Sequence, residues 1–116
     1  MKLKIYMLDL RVFEKLPMIQ DMERAGELSE HHAWKARKNV WSKVGYDVYV
    51  AFVIAASNEK QARLLAQEVA SSAAPPGDEI GEGGRWRDPK LTSCRVVGEA
   101  LEGAKESVIL ADFRNG

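Results

Sequence analysis

Cysteine, net charge and long apolar runs are all scarce in this sequence. The 116 residues include one cysteine, Cys94, so no intrachain disulfide can form and a reducing compartment is the simplest interpretation. Lys plus Arg and Asp plus Glu both number 17, so no overall field draws the chain toward nucleic acid or an anionic membrane. The longest uncharged stretch, residues 48–58, is too short to span a bilayer. These absences predict a cytoplasmic protein without a membrane partner.

The composition that remains is that of one small globular domain. Hydrophobic residues make up 46% of the chain and charged residues 29%. A chain of this length buries about 65% of its unfolded surface, which is enough for a core without a metal or a disulfide. We find no internal repeat and no linker, so residues 1–116 are expected to form a single domain.

Hydrophobic periodicity predicts an α+β fold. Residues 3–7 alternate as a half-buried strand, which we expect to end near Val12 or Phe13. Residues 46–56 are apolar on both faces, as in a central strand covered by helices on part of each face. Between them, helical spacing after Pro17, a stop at Gly26 and an N-cap at Ser29 predict two helices, the second running to Val44.

The second half continues with a helix and two strands. Asn58 and Gln61 form a capping-box pattern before a helix that ends near Ala73. Residues 78–85 have the composition of a mobile glycine-rich loop. An edge strand at 91–97, a turn or short helix, and a buried last strand at 108–113 follow. We therefore expect a three- or four-stranded, mainly antiparallel sheet with one packed helix and an inserted helical pair, although a parallel pairing of the first two strands stays open.

No constellation of catalytic or metal-binding residues stands out. His31 and His32 are adjacent, so on a helix they point about 100° apart and rarely share one ion. Cys94 has no neighbouring base that would activate it. The glycines near Gly83 follow a helix instead of a strand, and Glu79 and Glu82 would repel phosphate. We expect no metal, no cofactor and no enzymatic activity.

The most suggestive segment is the predicted second inserted helix. Residues 34–43 hold four basic residues, no acidic residue and two of the three tryptophans. Aromatic and arginine side chains are favoured at protein interfaces, and methionines adapt to irregular surfaces. The candidate partner-binding residues are Trp34, Arg37, Lys38, Trp41, Met18 and Met22. The alternative is that the helices cover the sheet and bury both tryptophans.

A second set of residues suggests a ligand site of another kind. An aromatic ring beside arginine forks suits a nucleotide, because the base stacks on the ring and the guanidinium groups bind phosphate. The candidate residues for such a site are Arg63, Arg85, Trp86 and Arg87.

Several motifs together resemble a family of small, mostly uncharacterised proteins encoded by phages and prophages. These motifs are Tyr46-Asp47-Val48-Tyr49, Ala55-Ala56-Ser57, Ala62-Arg63, Trp86, Val96-Val97-Gly98-Glu99-Ala100, and the ending from Val108 to Gly116. The resemblance covers about two-thirds of the chain. Family members tend to end in Phe-Asn-Ala-Gly, whereas this chain ends in Phe-Arg-Asn-Gly.

The resemblance implies that residues 14–44 are an insertion at a hairpin tip, where the family scaffold has a short turn. Insertions at such tips cost little closure entropy, and loops that project from a sheet commonly carry recognition surfaces. The expectation is a phage accessory protein that binds and blocks a host protein or protein–nucleic acid complex, as anti-CRISPR inhibitors do. The alternative is a non-catalytic protein that sequesters a small molecule or nucleotide. A homodimer also stays open.

Overall fold

The fold consists of one four-stranded sheet, one helix across it and a helical pair at one end. The computed structural model describes residues 2–44, 48–73 and 84–114, with the backbone alone for 72 and 73. The elements in chain order are β1 (Lys4–Leu10), a 3₁₀ turn (Arg11–Glu14), α1 (Lys15–Arg24), α2 (Glu30–Ser42), β2 (Val48–Ala56), α3 (Glu59–Ala73), β3 (Thr92–Glu99) and β4 (Ser107–Arg114).

The sheet has the strand order β3-β1-β2-β4, and every neighbouring pair is antiparallel. β1 and β2 are the two central strands, with Leu8 opposite Phe52. The antiparallel pairing of β1 and β2 places α1 and α2 in the connection between the two strands of a hairpin. The predicted α+β class and mainly antiparallel sheet are therefore confirmed.

The main core lies between the sheet and α3. Helix α3 presents a row of fully buried alanines, Ala62, Ala66 and Ala70, at the spacing of one helical turn. These small side chains let the helix lie close to Leu8 and Phe52 on the sheet. Trp86 completes this core, with its ring edge-to-face on Phe52 at 4.7 Å between centroids.

The helical pair has a small core of its own. Ile19 from α1 meets Ala33 and Val40 from α2, and Phe13 from the 3₁₀ turn packs against them. The radius of gyration is 16.2 Å, whereas a compact chain of this length would have about 13.4 Å. α1 and α2 contact each other and the 3₁₀ turn much more than they contact any strand, so the helical pair projects from the sheet instead of covering it.

Three helix boundaries lie where the local sequence predicts them: the end of α1 and the starts of α2 and α3. Gly26, after α1, has a φ of 78°, a conformation that favours glycine. Ser29 caps α2 by accepting a hydrogen bond from the amide of His32 at 3.2 Å. Asn58 caps α3 in the same way, through Gln61 at 2.9 Å.

Four sequence-based expectations need correction. β1 ends at Leu10, because the chain turns there into the 3₁₀ turn, and α2 ends at Ser42, before Val44. β2 is central, but α3 packs on one of its faces and the opposite face is partly open. β4 is an edge strand and is not buried, since the side chain of Leu110 is 60% exposed.

Two further expectations are answered only in part. Residues 100–106 form a turn and not a short helix. The expectations for residues 46–47 and for most of the 78–85 loop lie outside the described residues.

Candidate functional site

Trp34 is the more exposed of the two tryptophans in the helical pair. It lies on α2 next to buried Ala33, so the helix turns its indole away from the small core, and 52% of the residue is exposed. The Lys38 ammonium sits 5.0 Å from the ring centroid, one helical turn along. The His31 ring stacks near the other end, 6.2 Å between centroids. These three side chains form what we call the Trp34 cluster.

The Trp34 cluster borders a shallow surface depression. The depression has a volume of about 520 Å³ and is lined by Ser29, Glu30, His31, Trp34 and Arg37. Ser29 Oγ lies 2.7 Å from His32 Nδ1, so the start of α2 is ordered by side-chain contacts as well as by its cap. A partner can therefore meet a preformed surface instead of an unfolded loop.

Arg37 has a structural partner within the helical pair. Its Nη1 donates to Glu23 Oε1 at 3.0 Å, and both side chains are partly buried. The contact joins α2 to α1. Part of the positive charge predicted for this surface is therefore neutralised. Lys38, which has no carboxylate partner among the described residues, carries positive charge beside Trp34.

Trp41 belongs to a second cluster that fastens the helical pair to the sheet. Its ring packs on Phe13 at 4.8 Å and lies under the Arg114 guanidinium at 4.7 Å. Arg114 Nη1 also donates to the Trp41 carbonyl oxygen at 3.0 Å. Trp41 is 38% exposed and lies about 10 Å along the helix axis from Trp34. The two tryptophans, both candidates for partner binding, therefore have different surroundings. Trp34 is exposed, whereas Trp41 joins the helical pair to the sheet.

Met18 and Met22 lie on α1, the other helix of the pair. Met18 is exposed and Met22 is half-buried. The structure brings Trp34, Lys38 and His31 together, with Arg37 at the border of the same depression. It does not add the two methionines to that cluster.

Arg63 and Trp86, from the second predicted set, have structural roles. Trp86 is fully buried against Phe52, so no ligand can stack on its ring in this structure. The Arg63 guanidinium is also buried and donates to the Trp86 carbonyl at 3.1 Å, to Thr92 Oγ1 at 2.8 Å and to the Thr92 carbonyl at 3.2 Å. These bonds tie α3 to the segment before β3.

Arg85 and Arg87 border two different depressions. Arg87 is exposed and lines a small one of about 270 Å³ beside α3. Arg85 lines a cleft of about 500 Å³ together with Arg11, Lys43, Lys90 and Asp88. Four cations and one carboxylate thus meet in one place on a chain with no net charge.

The residues of this cationic cleft are far apart in sequence. Arg11 follows β1, Lys43 follows α2, and Lys90 precedes β3, so no local motif joins them. Only the sheet order, which places β1 beside β3, brings the three segments together.

The residues considered for catalysis show no activating surroundings. Burial, together with Glu59, raises the pKa of the Cys94 thiol to about 11, which is the opposite of what a nucleophile needs. The His31 and His32 rings lie 5.9 Å apart, edge to face. Within residues 2–44, 48–73 and 84–114, no group of three His, Cys, Asp or Glu side chains could hold a metal ion.

Comparison with known proteins adds no relative: no family model, no curated protein and no solved structure matches this chain. Among the described residues, no helix is long and apolar enough to cross a membrane.

Proposed function

We propose that this protein is a non-catalytic binding protein whose Trp34 cluster contacts an acidic patch on a macromolecular partner. The single observation that carries the proposal is Trp34 itself, an indole that is half exposed on α2 and flanked by Lys38, a lysine without a carboxylate partner among the described residues. A tryptophan in that position gains about 1.5–3 kcal/mol when a partner removes its apolar surface from water.

The surroundings of Trp34 suit a binding hot spot. Hot spots are enriched in tryptophan and arginine and are ringed by contacts that exclude water. Here Arg37 and His31 lie at the edge of the depression next to Trp34. Lys38 would steer an acidic patch toward the ring and fix its position, since charge complementarity acts mainly on association rate and specificity.

The projection of the helical pair supports the same proposal. The pair has its own small core and extends away from the sheet, so its outer side is accessible to a large partner. The resemblance to phage-encoded proteins suggests what kind of partner to expect, namely a macromolecule of the host cell. The function we propose is to bind and block a host protein or protein–nucleic acid complex, in the manner of an anti-defence inhibitor.

The test compares two variants at different places, each with one exposed apolar side chain truncated and one lysine charge reversed. Trp34→Ala with Lys38→Glu alters the Trp34 cluster, and Leu101→Ala with Lys105→Glu alters exposed residues of the turn before β4. Tagged wild type and both variants are used to capture partners from a host lysate. A specific partner should be held by the wild type and the turn variant and lost by the cluster variant. Equal capture by both variants would contradict the proposal.

A second candidate function is favoured by the cationic cleft. Its volume of about 500 Å³ lies within the range of small-molecule sites. Arg11 is held in place there, because its Nε donates to the Pro89 carbonyl at 2.6 Å and its Nη1 to Glu14 at 2.8 Å. Leu10, Val12, Val44 and Leu91 supply an apolar wall. We infer a phosphate-bearing small molecule as the fitting ligand.

Calorimetric titration with ATP, pyrophosphate and adenosine tests the second candidate. ATP and pyrophosphate should bind and adenosine should not, because the cations recognise phosphate. Lys43→Glu with Lys90→Glu should weaken ATP binding by about tenfold or more, whereas Lys2→Glu with Lys105→Glu, an equal charge change elsewhere, should not. Equal losses in the two variants would indicate unspecific attraction and would reject the site.

A further inference from the structure

One side of the cationic cleft is formed by the segment 84–91, whose backbone is fixed by hydrogen bonds. The Asp88 carbonyl accepts from the amides of Leu91 and Thr92 at 3.1 Å each, and from Thr92 Oγ1 at 3.1 Å. The Arg11 amide donates to the Leu91 carbonyl at 2.9 Å, which joins the segment to the end of β1. Ligand sites are usually largely pre-formed, because a rigid wall lowers the entropic cost of binding. The cleft has such a wall on this side.

The lining residues differ in exposure from the floor of the cleft to its rim. Leu10 and Val44 are buried, so their side chains form an apolar floor. Asp88 is half-buried, whereas Lys43 and Lys90 are exposed at the rim. A ligand that fills the cleft therefore meets apolar carbon at the floor, a carboxylate above it, and cations at the opening.

The Asp88 carboxylate keeps acceptor capacity for a ligand. Its Oδ1 accepts from the Lys90 amide at 2.9 Å, which holds the side chain beside another lining residue. Among the described residues, Asp88 forms no ion pair with Arg11, Lys43 or Lys90, although all three line the same cleft. An ionised carboxylate accepts hydrogen bonds through both oxygens. Asp88 Oδ2 can therefore accept from a hydroxyl group, while the two lysines bind an anionic group.

We propose that the ligand of this cleft is a nucleoside phosphate, an inference that rests on the second candidate function. The base packs on Leu10 and Val44, a ribose hydroxyl donates to Asp88 Oδ2, and the phosphates lie between Lys43 and Lys90. The order of base, ribose and phosphate along a nucleotide matches the order of the lining residues from floor to rim. Carboxylates bind ribose hydroxyls in this way in dinucleotide sites.

Two other kinds of phosphate-bearing ligand fit the cleft less well. Inorganic triphosphate would leave the apolar floor in contact with water. An alkyl phosphate would cover the floor but has no donor at the level of Asp88, and a carboxylate without a partner beside an apolar chain is unfavourable. A ligand with hydroxyl groups between its apolar and its anionic end satisfies all three levels.

Calorimetric titrations with ATP, 2′,3′-dideoxy-ATP and inorganic triphosphate, all without divalent cations, test the inference. ATP should bind at least about tenfold more tightly than either of the other two, because it alone offers both a base and ribose hydroxyls. Triphosphate or dideoxy-ATP that binds as tightly as ATP would overturn the inference and leave the phosphate site in place. Binding of none of the three would reject the second candidate function, and the inference with it.

A variant of Asp88 tests the residue that selects the ribose. Asp88→Asn keeps one oxygen for the Lys90 amide and replaces the other by an amide nitrogen, which cannot accept from a hydroxyl. ATP and dideoxy-ATP should then bind equally, while triphosphate binds at least as tightly as to the wild type, because a negative charge is removed. Asp112→Asn, the same change at an exposed residue of β4, should preserve the difference between the nucleotides.

Circular dichroism verifies the fold of both variants. A preference for ATP over dideoxy-ATP that survives Asp88→Asn would overturn the assignment of the ribose to Asp88.

Discussion

Replacing Arg63 by alanine should be among the most damaging single changes in this protein. The guanidinium is buried and donates three hydrogen bonds to oxygens of Trp86 and Thr92. Its fourth contact, with Glu59 at 3.1 Å, reaches a carboxylate that is mostly exposed, so that ion pair contributes little. The loss therefore comes from the buried side of the arginine.

The magnitude follows from the acceptors that remain. A hydrogen bond from a charged donor contributes about 1.5–3 kcal/mol, and a buried acceptor without a partner carries a desolvation penalty. Because the three bonds share one side chain and are not additive, we expect a loss of about 4 kcal/mol in the free energy of unfolding. At an m-value of about 2 kcal/mol/M, the urea midpoint should fall by about 2 M.

Urea denaturation monitored by tryptophan fluorescence measures this loss, because Trp86 lies directly at the affected contact. Thr92→Val serves as a second variant. It removes a hydroxyl that accepts from Arg63 and donates to the carbonyl oxygen of Arg85 or Asp88, and should cost about 1–3 kcal/mol. Arg87→Ala, at an exposed neighbour, should cost less than about 0.5 kcal/mol. An Arg63→Ala variant within about 1 kcal/mol of the wild type would show that the buried guanidinium contributes little to stability.

Three further predictions concern single residues. With its pKa raised to about 11, the Cys94 thiol should react with iodoacetamide at pH 8 about 200-fold more slowly than a free thiol; a rate near that of free cysteine would contradict this. Burial raises the pKa of Asp9 above its ordinary value, so its protonated form favours the fold and stability is lost as the pH rises through the folded-state pKa. Asp9→Asn should therefore reduce the decrease in the free energy of unfolding between acidic and neutral pH. Denaturant titrations measure this dependence, and a variant with the pH profile of the wild type would contradict the raised pKa of Asp9. Gly26→Ala should cost about 1–2 kcal/mol through backbone strain alone, since φ is positive and no atom lies within 4 Å of the added Cβ; thermal unfolding measures it, and an unchanged midpoint would count against strain.

Local patterns predicted the elements of this fold well, because the signals for them are local. Ser29 and Asn58 cap their helices through amides three residues ahead, as their positions before apolar periodicity indicate. The alternation of β1 likewise marks its buried face. The hydrophobic pattern failed where burial depends on residues that are distant in sequence. An apolar stretch such as β4 is typical of a buried strand, but it pairs on one side alone, at the edge of the sheet.

In the candidate sites too, the sequence predicted local contacts and missed those between distant residues. Trp34 and Lys38 are four residues apart on one helix, so helical geometry predicted their contact. The burial of Trp86 was not foreseeable, because Phe52 and Arg63, which enclose it, are distant in sequence. The cationic cleft depends on the order β3-β1-β2-β4, which no local pattern encodes.

The affinity of the Trp34→Ala variant for a purified partner measures what the exposed indole contributes to binding. We expect a dissociation constant at least about 30-fold higher than that of the wild type, equivalent to about 2 kcal/mol, with the fold unchanged. Leu101→Ala, at a more exposed residue outside the helical pair, should change it by less than about twofold. A Trp34→Ala variant that is folded and binds as tightly as the wild type would contradict the claim that the Trp34 cluster is the binding surface.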